Sequence, residues 1–137
     1  MNDDLFGTIT YHIDAWNGEV AKTLACSGTK SIKFGIRASK GGPTDEQKKL
    51  FQDLTDRYEA LWPAIAKELI KMNSVIKDSA ELPFSLEPQL LLYIPGVIGD
   101  QVFDFTIGFK FKSDRGNLTA YFVSYVGWEI KSCLKAS

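Results

Sequence analysis

Between Val102 and Phe111 the chain places Phe103, Phe105, Ile107, Phe109 and Phe111 at alternate positions, with Asp104, Thr106, Gly108 and Lys110 between them. Successive side chains of a β-strand point to opposite faces, so this run reads as a strand with one continuous apolar face. Such a face is costly in water, since each of these side chains gains roughly 1.5–3 kcal/mol on full burial. It must therefore lie against a second apolar layer. The candidate is a stripe in which Leu50, Phe51, Leu54, Tyr58, Leu61, Trp62, Ile65, Leu69 and Met72 recur at steps of three and four residues, the mark of an amphipathic helix.

Local signals bound that helix. Thr44-Asp45-Glu46-Gln47 has capping-box spacing, and Asp45 and Glu46 suit the positive end of the helix dipole. Pro63 falls inside the stripe, where proline removes a backbone donor and crowds the preceding turn. Because the stripe keeps its phase across Pro63, one kinked helix from Thr44 to Ile76 is favoured over two separate helices.

Strand signals flank it. In Leu5–Ile13, Leu5, Ile9, Tyr11 and Ile13 oppose Thr8, Thr10, His12 and Asp14. Asn17-Gly18 then reads as a tight hairpin turn, followed by a weaker strand at Glu19–Ala25 and a turn at Cys26–Lys30. Ser31–Ala38 points Ile32, Phe34, Ile36 and Ala38 inward. After the helix, Ser79–Pro88 reads as loop, Gln89–Ile94 as a strand covered on both faces, and Pro95–Asp100 as an apolar loop. A polar turn at Lys112–Asn117 separates the aromatic strand from another at Leu118–Val126, and Trp128–Leu134 extends the sheet. The expected fold is α+β, a single domain over residues 1–137. It is an antiparallel sheet of about six strands with one long, Pro-kinked helix on one face, in the order β-β-β-α-β-β-β.

Composition narrows the function. The 137 residues carry 16 Lys and Arg against 17 Asp and Glu, a formal charge of −1, without the cationic surplus of a nucleic-acid binder. Cys26, Cys133 and His12 are scattered and match no metal-ligand spacing, so neither a metal nor a cofactor is expected. Met1-Asn2-Asp3-Asp4 has no signal-peptide character, and no run approaches the roughly 18 apolar residues of a membrane span. The expectation is a cytoplasmic protein with reduced thiols and no membrane association.

No catalytic residue is assigned. His12 and Asp14, two apart on a strand, form a polar pair that resembles an acid–base dyad but equally suits a solvated sheet face. Cys26 has no local histidine, no Gly-x-Ser-x-Gly elbow occurs, and Lys40–Thr44 lacks the order of a phosphate loop. Glu81, Glu87, Asp100 and Asp104 lie in a stretch from Asp78 to Phe109 without Lys or Arg. Lys110, Lys112, Arg115, Lys131 and Lys135 then make the C-terminal end cationic, a polarity suited to steering a partner. Trp16, Trp128 and the Pro95–Gly99 loop are the apolar residues least readily assigned to the core. The candidate interaction surface is accordingly Trp16, Trp128, Asp100 and Asp104.

The Phe6-Gly7 strand, the Trp16-Asn17-Gly18 turn and the helix opening Thr44-Asp45-Glu46-Gln47, continued by Lys48–Leu54, are similar to a group of small, uncharacterised bacterial α+β domains. Some members of that group look like immunity proteins encoded beside polymorphic toxins. Where many of them carry a Trp-Asp-x-Glu-His-Gly turn, this chain has Lys112–Asn117, without the histidine and glutamate. No functional residue is carried over. The absence of a catalytic constellation and the charge polarity favour a non-enzymatic protein-binding domain, and the resemblance implies one of immunity-like type. Two other readings stay open: a small-ligand binder or enzyme with a pocket between helix and sheet, and a structural homo-oligomeric module.

Overall fold

The computed structural model describes residues 1–73, 76–112 and 119–136. The expected turn at Lys112–Asn117 apart from Lys112, the expected strand start at Leu118, and positions 74 and 75 of the expected helix lie outside the described residues. The chain opens with β1 (Asn2–Asp3) and β2 (Gly7–Thr8), a two-stranded ribbon. An antiparallel meander follows, made of β3 (Thr10–His12), β4 (Ala15–Leu24) and β5 (Thr29–Arg37). Next come α1 (Asp45–Met72) and, after a 3-10 turn at Ser79–Glu81, the short α2 (Leu82–Ser85). The remaining strands are β6 (Gln89–Ile94), β7 (Gly96–Ile98), β8 (Gln101–Phe103), β9 (Phe105–Phe111), β10 (Thr119–Val126) and β11 (Glu129–Ala136). Among the described residues the main sheet has seven strands in the order β11-β10-β9-β6-β5-β4-β3, while β7 and β8 pair as a separate hairpin.

The fold is α+β, with a strand-rich half on either side of one long helix, but the sheet is mixed rather than antiparallel. β5 and β6 run parallel in register from Ser31↔Gln89 to Ile36↔Ile94, and the other neighbours are antiparallel. The cause is α1. Its 28 residues span about 42 Å at 1.5 Å per residue, enough to carry the chain back along the sheet so that β6 enters in the direction of β5.

The helix begins as its cap dictates. Thr44 Oγ1 accepts from the Gln47 backbone N–H at 3.1 Å, and Gln47 Oε1 accepts from the Thr44 N–H at 2.9 Å. Gln47 Nε2 also donates to the Arg37 carbonyl at 2.7 Å, tying the cap to the end of β5. The helix runs through Pro63 as one element, with Pro63 on its exposed side. Phe51, Leu54, Tyr58, Trp62, Ile65 and Leu69 are buried against Phe34, Leu92, Ile107, Phe109, Val123 and their neighbours, forming one continuous core. Phe6 completes it from the N-terminal ribbon, its ring centroid 4.8 Å from that of Phe34 in a tilted contact and 4.9 Å from that of Phe51 edge to face.

The first hairpin turns elsewhere than expected. Its two-residue turn is Ile13-Asp14, both with positive φ (48° and 61°), as a type I′ turn requires. Asn17 and Gly18 lie inside β4. Gly18 is needed there for space: a Cβ would come within 2.8 Å of the Phe34 ring and 3.1 Å of Ile9. The loop expected at Pro95–Asp100 is instead one arm and the turn of the β7–β8 hairpin, with Val97 opposite Val102.

Candidate functional site

Helix α1 covers one face of the sheet and leaves the other uncovered by any helix among the described residues. Side chains on that outer face are those out of phase with the core: Ala15 and Asn17 on β4, Gly35 and Arg37 on β5, Tyr93 on β6, Thr106 on β9, Phe122 on β10 and Leu134 on β11. Register brings them together. Ala15 stands opposite Arg37, Asn17 opposite Gly35, Gly35 beside Tyr93, Tyr93 beside Thr106, and Phe122 opposite Leu134. The small residues Ala15 and Gly35 leave a depression between the larger ones.

The β7–β8 hairpin turns this depression into a groove. It leaves the sheet at Pro95 and packs Gly96 onto Thr106, so closely that a Cβ on Gly96 would lie 1.8 Å from Thr106 Oγ1. Thr106 and Ser124 are buried beneath it and share a hydrogen bond of 2.8 Å. The resulting cavity of about 530 Å³ is lined by the outer-face residues and by Pro95, Val97, Ile98 and Gly99. That size lies in the range of roughly 300–1,000 Å³ common for ligand sites. Among the described residues its lining holds one charged side chain, Arg37. Tyr93 forms one wall, and burial there pushes its phenol above the usual pKa.

A second groove, of about 360 Å³, lies on the other side of the hairpin, lined by Leu50, Pro95, Val102, Phe103, Asp104 and Trp128 among others. The hairpin therefore separates two hollows. Its own Val97 and Val102 are exposed, and so are Tyr93, Val126 and Leu134 nearby in the fold.

The sequence candidates are dispersed by this arrangement. Trp16 is withdrawn from any surface: it is buried in the core, its indole N–H donating to the Ser39 carbonyl at 2.7 Å. Trp128 is half-buried, packs on Phe105 with ring centroids 5.6 Å apart, and carries the Arg57 guanidinium 4.4 Å above its ring. It lines the second groove together with Asp104. The Asp104 carboxylate accepts from the Gly127 N–H at 2.6 Å and so holds the β10–β11 turn, where Gly127 has φ of +59°. Asp100 stands exposed at the tip of the hairpin. His12 and Asp14 are both exposed. Asp14 sits in the left-handed turn rather than on the strand, and its carboxylate accepts from Tyr11 Oη at 3.2 Å. The spacing expected to align the pair is thereby lost.

Groove residues that sequence reasoning missed are Asn17, Arg37, Tyr93, Phe122 and Leu134. A signal was available, because Tyr93, Phe122 and Leu134 are apolar side chains at positions whose phase is otherwise solvent-facing. The interface between helix and sheet, by contrast, is filled by buried side chains. One polar cluster lies within it: Tyr58 Oη donates to Ser27 Oγ at 2.8 Å, and Ser27 Oγ lies 2.7 Å from Thr29 Oγ1. Burial raises the Tyr58 phenol well above its usual pKa. The thiols are free. Burial, then the neighbouring Glu68 carboxylate, pushes Cys133 up to about 11, and burial likewise raises Cys26. Both shifts favour the protonated thiol over the nucleophilic thiolate.

Among the described residues no group of three or more His, Cys, Asp or Glu is placed to hold a metal ion. No helix among them is long and apolar enough to cross a membrane. What the fold defines is an α+β class with a mixed seven-stranded sheet, one helix-covered face and one grooved face. Compared with known proteins, the chain matches no family model, no curated protein and no solved structure.

Proposed function

We propose that this chain is a non-enzymatic protein-binding domain, of the immunity-like type that its motifs resemble, and that its partner docks on the β7–β8 hairpin and the outer-face groove. The observation that carries this reading is the gathering of exposed apolar side chains there: Tyr93, Val97 and Leu134 line the groove on the uncovered face, and Val102 stands exposed on the other arm of the hairpin, toward the second groove. Scattered exposed apolar residues are ordinary, whereas a patch around a groove marks an interaction site. Among the described residues its lining carries no nucleophile–base pair, which favours binding over catalysis.

The test is a photoreactive amino acid incorporated at Val97 and irradiated in the native host, with any neighbouring toxin assayed in parallel. The expected product is one discrete adduct with a different protein. Absence of an adduct, or an adduct only between two copies of this chain, overturns the reading; the second result supports a homo-oligomeric module instead.

A further inference from the structure

We propose that the outer-face groove receives the C-terminal residue of the partner chain, with its apolar side chain against Tyr93, Phe122 and Val97 and its terminal carboxylate on the Arg37 guanidinium. This rests on the partner-binding reading above and names the chemistry that the groove selects.

Charge complementarity is the first argument. Among the described residues Arg37 is the one charged side chain in the lining, and none of them there is acidic. Among the described residues its guanidinium makes no ion pair or hydrogen bond; the contact it has, with Gln47, goes through its backbone carbonyl. A free guanidinium beside apolar walls is a receptor for a carboxylate, which it binds through two parallel N–H donors. Asn17 adds a further donor. One of its amide hydrogens is directed to the Ala15 carbonyl at 3.2 Å and the other is left over. The Thr106 hydroxyl is already engaged with Ser124 and does not compete for the anion.

Geometry is the second argument. Arg37 stands on the same face as Gly35, two residues on, and Gly35 is beside Tyr93. Two residues of strand span about 7 Å, a separation suited to one amino-acid residue with its carboxylate at one end and its side chain at the other. The hairpin walls the groove on the side of Pro95–Gly99. Arg37 is the last residue of β5, so its guanidinium stands at the end of the strand, where it meets the terminus of a chain laid over Gly35 and Tyr93.

The test uses two probes with the same body, N-acetyl-phenylalanine and N-acetyl-phenylalaninamide, titrated into the isotope-labelled full chain and followed by amide chemical shifts. The expected result is movement centred on Gly35, Tyr93, Thr106 and Phe122, with the acid binding about fivefold more tightly than the amide. In Arg37→Gln, an exposed substitution, that ratio is expected to fall below about twofold because the charge-assisted contact is lost. Equal binding of acid and amide to the wild type, a preference that survives Arg37→Gln, or shifts confined to other residues would overturn the proposal. The Val97 adduct separates the two levels. An adduct undiminished in Arg37→Gln removes the carboxylate contact and leaves the partner, while no adduct in the wild type removes the partner itself.

Discussion

The Asp3 carboxylate folds the N-terminus back onto the helix. It accepts from the backbone N–H groups of Leu5 and Phe6 at 2.8 and 3.1 Å and pairs with Lys48 Nζ of α1 at 2.6 Å. These contacts place Phe6 in the core against Phe34 and Phe51. Burial acts to raise the Asp3 pKa, but the Lys48 ammonium and the two backbone donors outweigh it, so the carboxyl titrates below its usual value of 3.8. The unfolded chain then binds the proton more readily than the folded one. The contribution to stability is full above the unfolded value and is lost as pH falls through the folded value. Asp3→Asn is expected to lower the denaturation midpoint at pH 7 and to flatten its decline below about pH 4, read from urea curves at several pH values. An acid limb as steep in the variant as in the wild type would rule out Asp3 as its source.

Individual residues also explain where sequence reading went astray. Asn-Gly is the strongest short hairpin signal, yet Gly18 is in β4 because Phe34 and Ile9 leave no room for a Cβ, a packing demand invisible in the local sequence. The real turn uses Ile13, a β-branched residue at positive φ, which propensity alone argues against.

Among the elements, α1 was the most legible, since cap, dipole charges and stripe all point to the same helix. Its start at Thr44 agrees with the sequence, and Phe51, Leu54, Tyr58, Trp62, Ile65 and Leu69 of the stripe are buried, whereas Leu50, Leu61 and Met72 are half-buried and α1 ends at Met72 rather than Ile76. The strands were legible as strands, but their pairing was not. Alternation reveals which side chains share a face and says nothing of which strand lies alongside, so the parallel β5–β6 pair emerges only once α1 is seen to return the chain. Pro63 remains the one local conflict within the helix. It is exposed, supplies no donor to the preceding turn, and is accommodated without ending α1. Pro63→Ala restores that donor. The interior cost of proline is about 3 kcal/mol relative to alanine, partly offset because proline also restricts the unfolded chain by about 0.4–1 kcal/mol. The expected outcome is a net stabilisation of about 2–2.5 kcal/mol in urea denaturation. A destabilised variant would mean that Pro63 is held by contacts of its own.

At the scale of the whole molecule, the two faces of the sheet have different tasks. The inner face and α1 bury an aromatic core that requires no contribution from the hairpin tip: Phe105, Ile107, Phe109 and Tyr125 are covered from the helix side. The outer face carries Tyr93, Phe122 and Leu134 among smaller and polar side chains, and the hairpin adds Val97 at 40% and Val102 at 66% exposure. Side chains so exposed contribute little to folding, and their substitution normally changes stability by no more than about 0.5 kcal/mol. If they are there for a partner, stability and binding must separate on mutation. The double substitution Val97→Thr and Val102→Thr keeps β-branched side chains on both arms while replacing a methyl with a hydroxyl in each. It is expected to leave the denaturation midpoint within that margin and to abolish an adduct formed from a photoreactive residue placed instead at Leu134. A loss of more than about 1 kcal/mol would assign the two valines to the fold. An undiminished adduct would move the partner off the hairpin and onto the sheet face alone.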